Sequence, residues 1–324
     1  MFYFFKFNFY QFFFSIFHKM SKQELQRSHT PEEQKVEQSG FRILKEEEIK
    51  NLKTIEDIGS GVRGKVTKVL MKNIYALKTI MINNFEYIQD FIKEYEIMSQ
   101  PLHPNIVEVI GIFPGNKKYP PSIMLEYCPI NLEKAIKESI LSKEEIVKII
   151  YQIIEGMKYI HMKTIIHGRL NPTNILITSD GTVKICDFCI SKLISFEEQS
   201  ITCGVSKLIY FAPEILNEED YYDEKIDVYS FGTLLFFILS GGNHPKIKVN
   251  ERVRGKKAEI PSSFTEFSKK LINECWNFNP KDRPSFQMIL DDLERNQYNL
   301  IQLNKTEIEN IESFVNNHKK KIPQ

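Results

Sequence analysis

The chain has no uninterrupted apolar run of the roughly 18 to 20 residues that a membrane-spanning helix needs. Its most apolar helical stretch, KIDVYSFGTLLFFILSGG, is too short and its flanks are too polar. Charge of one sign is also missing. Lys and Arg number 43 against 42 Asp and Glu, a net charge of +1, so the balance gives no sign of nucleic acid or a bulk membrane surface as a partner. Cysteine is sparse. Five Cys, an odd number scattered through core-like segments, argue against a disulfide framework and for reduced thiols in a cytoplasmic setting. Cys186 and Cys189 form a C-x-x-C, but no second Cys/His pair sits nearby. Buried or loop thiols are therefore the better reading than zinc.

What is present is an ordinary globular composition, 42% hydrophobic over 324 residues, enough for one two-lobed domain with a sizeable core and short flanks. Residues 1–20 are dense in Phe but broken by Lys6, Asn8 and Gln11, with no basic leading region and no clear small-residue cleavage site. Two readings stand: an anchor or signal segment, or an extension ahead of a start at Met20. Residues 21–51 are polar and charged and read as a linker or short leading helix.

From Leu52 the texture changes. KTIEDIGSGVRGKVTKVL alternates apolar and polar residues around glycines, which predicts a strand, a tight turn and a second strand. YALKTI, NIVEVIGIF and SIMLEY predict three more strands, and PGNKKYPP a loop. Phe85, Ile88, Phe91, Ile92 and Tyr95 recur at helical spacing, so one amphipathic helix accompanies this sheet. After EYCPINL the chain turns helical. Ser142 and Glu145 form a capping box, and Ile146, Ile149, Ile150, Ile153, Ile154, Met157 and Ile160 mark one buried face of a long helix. KIDVYSFGTLLFFIL is apolar nearly all round, the pattern of a buried central helix. In the tail, Ile308, Ile311, Phe314 and Val315 predict a helix that packs back on the domain.

The motifs converge on one family. GSGVRGKV, with Gly59, Gly61, Gly64 and Val66, joins two strands without a helix straight after it, which argues against a dinucleotide site. With YALK, HPNIV, HGRLNPTN, CDFC, APE, IDVYSFG and NPKDRPSF in this order, the chain resembles the eukaryotic protein kinases. CWNFNPKDRPSFQMIL and YFAPEIL resemble the tyrosine-kinase-like group. The resemblance covers about residues 54–295. It implies an α+β fold of two lobes: a small five-stranded antiparallel sheet lobe with one main helix (about 52–127), and a larger, mostly helical lobe (about 128–298), followed by a helical tail (299–324).

The resemblance also implies a largely intact ATP pocket. Lys78 matches the strand-three Lys that holds the α and β phosphates, and Glu94 its helix partner. Leu125 matches the gatekeeper, followed by Glu126 and Cys128 at the adenine edge, while Ile58, Val66, Ala76 and Leu176 would sandwich the ring. Asn174 and Asp187 match the two residues that hold Mg2+. Glu214 and Arg283 match a buried structural pair, and Asp227 matches the residue that braces the catalytic loop from below. Val109, Met98, His167 and Phe188 match a stacked spine. The implied partners are ATP and an unidentified protein partner or substrate, with a membrane only if residues 1–20 act as an anchor.

The pattern H-R-D-L-K-P-x-N reads H-G-R-L-N-P-T-N here. Arg169 stands at the position of the catalytic Asp that accepts the substrate hydroxyl proton. A guanidinium stays charged and cannot accept a proton. No Asp or Glu lies between His167 and Ser179 to stand in. Asn171 removes the catalytic-loop Lys, and Cys189 replaces the Gly of D-F-G. Gly168 replaces an Arg that usually pairs with a phosphorylated activation loop, here the segment with Ser191, Ser195, Ser200, Thr202 and Ser206. These departures predict a pseudokinase that binds nucleotide and transfers little or no phosphoryl group, acting in signalling as a scaffold or allosteric regulator; a slow serine/threonine kinase is the alternative. Arg169 itself either holds ATP by charge or points to solvent, and solvent is the commoner fate of such a side chain.

Overall fold

The structure is a computed structural model, and it describes residues 42–61, 64–80, 95, 103–116, 118–188, 205–219 and 222–322. The amphipathic helix expected around Phe85–Ile92 lies outside these residues; Tyr95, its last apolar position, is helical and buried. The described residues fall into two compact units, one containing the sheet strands up to Tyr127 and the other nearly everything after it.

The small unit is a five-stranded antiparallel sheet in the order β1-β2-β3-β5-β4. Its strands are β1 (Lys53–Gly61), β2 (Gly64–Leu70), β3 (Ile74–Ile80), β4 (Val109–Phe113) and β5 (Ser122–Glu126). Alternation fixes which face each side chain takes. Register pairs Leu77 with Met124 and Tyr75 with Val69 and Glu126. Met124, Leu77 and Tyr75 pack with Leu44, Ile49 and Phe113 in the core of this unit. Leu44 and Ile49 come from the segment read as linker or leading helix. Leu44 N donates to Ile112 O at 2.8 Å, and Ile112 N donates to Arg42 O at 3.0 Å, so residues 42–44 extend the β4 edge. The short helix Glu46–Lys50 then delivers Ile49 to the core. At Gly64 a Cβ would lie 2.1 Å from Thr79 O, so the strand approaches β3 more closely than any side chain permits.

The large unit is built on two helices. Lys143–Met162 starts in the expected capping box, with Ser142 N donating to Glu145 Oε2 at 2.8 Å and Glu145 N to Ser142 Oγ at 3.2 Å. Its predicted face is buried except for Ile146, which is half-exposed; Val147 is buried instead. Lys225–Leu239 is buried nearly all round, as its composition predicts. A small sheet of β6 (Ile130–Asn131), β7 (Ile175–Ile177) and β8 (Val183–Ile185) carries the loops of interest at its ends. The tail helix Lys305–Lys319 packs on Lys143–Met162 through buried Ile311, Val315 and His318. His318 Nε2 meets Asn105 Oδ1 at 2.8 Å, and Asn105 Nδ2 donates to Gln152 Oε1 at 2.9 Å, a buried polar chain that the apolar pattern does not reveal. Among the described residues no helix is long and apolar enough to cross a membrane.

Candidate functional site

In the small unit, register gathers the predicted nucleotide residues on one side of the sheet. Val66 pairs with Lys78, Lys78 with Ile123, and Ala76 with Leu125. Cross-strand partners point the same way, so Val66, Ala76, Lys78 and Leu125 share the face opposite the core. Gly59 pairs with Val66, and Gly61 with Gly64, closing the glycine turn. Ile58 is the unpaired residue between Asp57 and Gly59, where β1 bulges, and it is exposed. Glu126 ends β5 opposite Tyr75. Glu94 lies outside the described residues.

The large unit holds the other predicted positions. Leu176 is half-buried in β7, and Cys128 is buried just before β6. The loop His167–Asn174 is held from below by Asp227, which is fully buried. Its Oδ2 accepts from His167 N at 2.8 Å and faces His161 Nε2 at 2.9 Å, while Oδ1 accepts from Gly168 N at 2.8 Å. Burial opposes the charge of this carboxyl, but the hydrogen bond and charge of His161 and the Gly168 amide together hold its pKa below the ordinary value. His161 has no place in the motif and emerges only from the fold.

His167 is equally buried, and burial pushes its pKa below the ordinary histidine value. Its Nδ1 accepts from Arg169 N at 3.1 Å, which leaves Nε2 to donate to Cys186 O at 3.1 Å. The neutral ring packs on Phe188 with centroids 4.8 Å apart. These are two of the four expected spine residues; Val109 lies on β4 of the small unit, and Met98 is outside the described residues. Gly168 adopts φ +71°, a conformation that strains any L side chain.

Asn171 is drawn into the loop itself. Its Oδ1 accepts from Thr173 N at 2.9 Å and Thr173 Oγ1 at 2.7 Å, and its Nδ2 donates to Arg169 O at 2.8 Å. It thereby caps the short 3-10 helix Pro172–Asn174. Asn174 Nδ2 donates to Arg169 O at 2.9 Å and approaches Asp187 Oδ2 at 3.4 Å. The structure thus brings together Asn174 and Asp187, the two positions expected to hold magnesium. Asp187 has φ +64°, unusual for a residue other than glycine.

Arg169 does not take the solvent-directed course expected as the commoner case. Its side chain is 15% exposed, and Nη1 lies 3.5 Å from Asp187 Oδ2. The physical reason is the adjacent carboxylate, which attracts the guanidinium in a partly desolvated setting. Cys186 is half-buried and its Sγ contacts Asn174 O at 3.4 Å. Cys189 and the activation-loop positions Ser191, Ser195, Ser200 and Thr202 lie outside the described residues. Farther down, Arg283 grips Glu214 with both ends of its fork, at 2.6 and 2.9 Å. It also donates to Asn277 O, Lys225 O and Phe278 O. Buried Arg252, which the motifs do not flag, donates to the carbonyls of Leu208 and Phe211 and fixes the segment before Glu214.

A family profile described as "Protein kinase domain" matches residues 52–293. Among curated relatives, a probable serine/threonine-protein kinase of Dictyostelium discoideum is 33% identical over 255 residues, covering 74% of this chain and 27% of the relative. A probable LIM domain-containing serine/threonine-protein kinase of the same organism is 32% identical over 254 residues, covering 74% and 38%. The serine/threonine-protein kinase CTR1 of Arabidopsis thaliana is 32% identical over 254 residues, covering 73% and 30%. The chain therefore spans between 27% and 38% of the length of these relatives.

Proposed function

The chain belongs to the protein kinase family, and from that premise we propose that it is a nucleotide-binding pseudokinase of the tyrosine-kinase-like group, acting in cytoplasmic signalling as a scaffold or allosteric regulator. The family generally uses ATP and Mg2+ and acts on protein substrates. Binding of ATP is supported by the shared face of Val66, Ala76, Lys78 and Leu125 and by the glycine turn that ends β1.

Loss of transfer is carried by one observation. The residue at the base position, Arg169, is a permanent cation whose guanidinium lies 3.5 Å from Asp187. A positioned base contributes roughly 100- to 10,000-fold to such a reaction, and a guanidinium cannot accept the proton. Asn171, at the position of the loop Lys, spends its amide on a turn and carries no charge to set against the transferred phosphoryl group.

A second reading, a slow serine/threonine kinase, draws on the intact bracing of the loop by Asp227 and on the names of the relatives. Positioning and electrostatics supply most of the catalysis in this chemistry, so loss of the base alone leaves a residue of rate. Radiolabelled ATP transfer to the protein itself and to mixed peptides separates the two. The pseudokinase reading expects no more transfer than in Lys78→Ala. Turnover well above that control overturns it, and a rise in Arg169→Asp alone locates the defect at this residue.

A further inference from the structure

A divalent cation bridges a carboxylate to a phosphate by placing two positive charges between two anions. Beside Asp187 a cation of the protein already stands. Arg169 Nη1 is 3.5 Å from Asp187 Oδ2, and the Arg169 side chain is largely buried. The guanidinium issues from a backbone fixed on both sides. Arg169 N donates to His167 Nδ1, and Arg169 O accepts from both Asn171 Nδ2 and Asn174 Nδ2. The bond from Asn174 Nδ2 to Arg169 O also pins the Asn174 amide, because flipping it would set two oxygens against each other. In this orientation it is the Asn174 nitrogen that approaches Asp187 Oδ2, at 3.4 Å.

The same carboxylate oxygen therefore faces a guanidinium and an amide N–H. Two donors of the protein thus already stand at this oxygen. Magnesium demands a near-octahedral shell of oxygens at about 2.0–2.1 Å. With Arg169 in place, a magnesium ion at Asp187 Oδ2 would meet the positive charge of the guanidinium, which opposes its binding there. A guanidinium is suited to the other half of the bridge: it is planar, permanently charged and matched to phosphate oxygens.

We propose that the Arg169 guanidinium stands in for the divalent cation at Asp187, so that this chain binds free ATP without magnesium. The inference rests on the nucleotide-binding reading and deepens it. Magnesium removes negative charge from the triphosphate, so added metal weakens the contact with Arg169 or leaves it unchanged. An enzyme dependent on the metal shows the reverse.

The test uses the full chain, with ATP titrated by calorimetry and thermal shift, once in EDTA and once in excess magnesium chloride. Native protein should bind at least as tightly in EDTA. Arg169→Gln should lose about tenfold or more of the metal-free affinity, the weight of one charge-assisted contact, while its affinity for adenosine, which has no phosphates, stays unchanged. ATP binding that appears only with magnesium overturns the inference and leaves the nucleotide reading standing. Unchanged metal-free affinity in Arg169→Gln also overturns it. No ATP binding by native protein in either condition brings down both. Should Arg169→Gln fail the circular-dichroism check for folding, the comparison of EDTA with magnesium in native protein decides alone.

Discussion

Replacing Asp227 by Asn exchanges one carboxylate oxygen for an NH2 group and should lower stability by about 3 kcal/mol. The carboxylate takes His161 Nε2 and His167 N on one oxygen and Gly168 N on the other. An Asn side chain has only one acceptor. Turned so that its oxygen serves the two histidine donors, it sets an NH2 group against the Gly168 N–H. That breaks one charge-assisted bond and strands a buried donor, each worth about 1.5–3 and 1–3 kcal/mol, with overlap between the two. Turned the other way it loses two bonds. Asp227→Ala removes all three and should cost about 3–5 kcal/mol, against a total of about 5–15 kcal/mol for a typical domain. Urea denaturation followed by circular dichroism reads this as a lower midpoint at unchanged slope. The pH dependence follows from the depressed pKa of the folded carboxyl. Its contribution is complete above the unfolded value of about 3.9 and is lost as pH falls through the lower folded value. The deficit of Asp227→Asn should therefore hold steady from about pH 8 to 5 and narrow only below about 4. A variant within about 0.5 kcal/mol of native protein at neutral pH, the range of a neutral surface change, refutes the bracing role.

Two further outcomes test the frame around the site. Glu214→Ala strands Arg283, whose side chain is fully buried, and should cost about 3–5 kcal/mol in the same denaturation assay. His103 is buried beside Tyr159, and burial, with the charges of His318, Lys158 and Lys184, lowers its pKa to about 4. The unfolded chain then takes up a proton near pH 6.5 that the folded chain refuses, so stability should fall by about 3 kcal/mol between pH 6.5 and 4. His103→Gln should remove that part of the slope in urea midpoints measured across this range.

The fold was legible where local pattern and local structure coincide. Strand alternation around the glycines, the Ser142–Glu145 box and the apolar face of Lys143–Met162 are signals of short range, and the structure reproduces them. Leu44 and Ile49 were not legible, because a charged run surrounds them and their partners, Phe113 and Met124, lie far along the chain. His318 was hidden for a similar reason. A polar residue on a helix reads as exposed until the fold supplies Asn105 opposite it. At the site, the motif pointed to Asp187, Asn174 and Asp227, which the fold places around one loop, but it could not give the direction of Arg169. A long side chain has many rotamers, and what selects among them is a carboxylate brought near by the turn after β8.

The same geometry explains how this loop keeps its shape with Arg at position 169 and Asn at position 171. The loop bonds made by Asp227, His167, Asn171 and Asn174 need neither an Asp at position 169 nor a Lys at 171. Asp227 holds the backbone of His167 and Gly168, His167 Nδ1 holds the amide of Arg169, and two asparagine amides hold its carbonyl. Asn171 serves this loop through its turn-capping amide, which a Lys cannot imitate. Gly168 accepts φ +71° without the roughly 1–2 kcal/mol that an L side chain would incur there. The base and the loop Lys act on the reactants, whereas Asp227, His167 and the asparagines act on the backbone. Because the bracing groups are separate from side chains 169 and 171, Asn174 stays beside Asp187, and the cation at residue 169 falls within reach of Asp187 in an ordered loop.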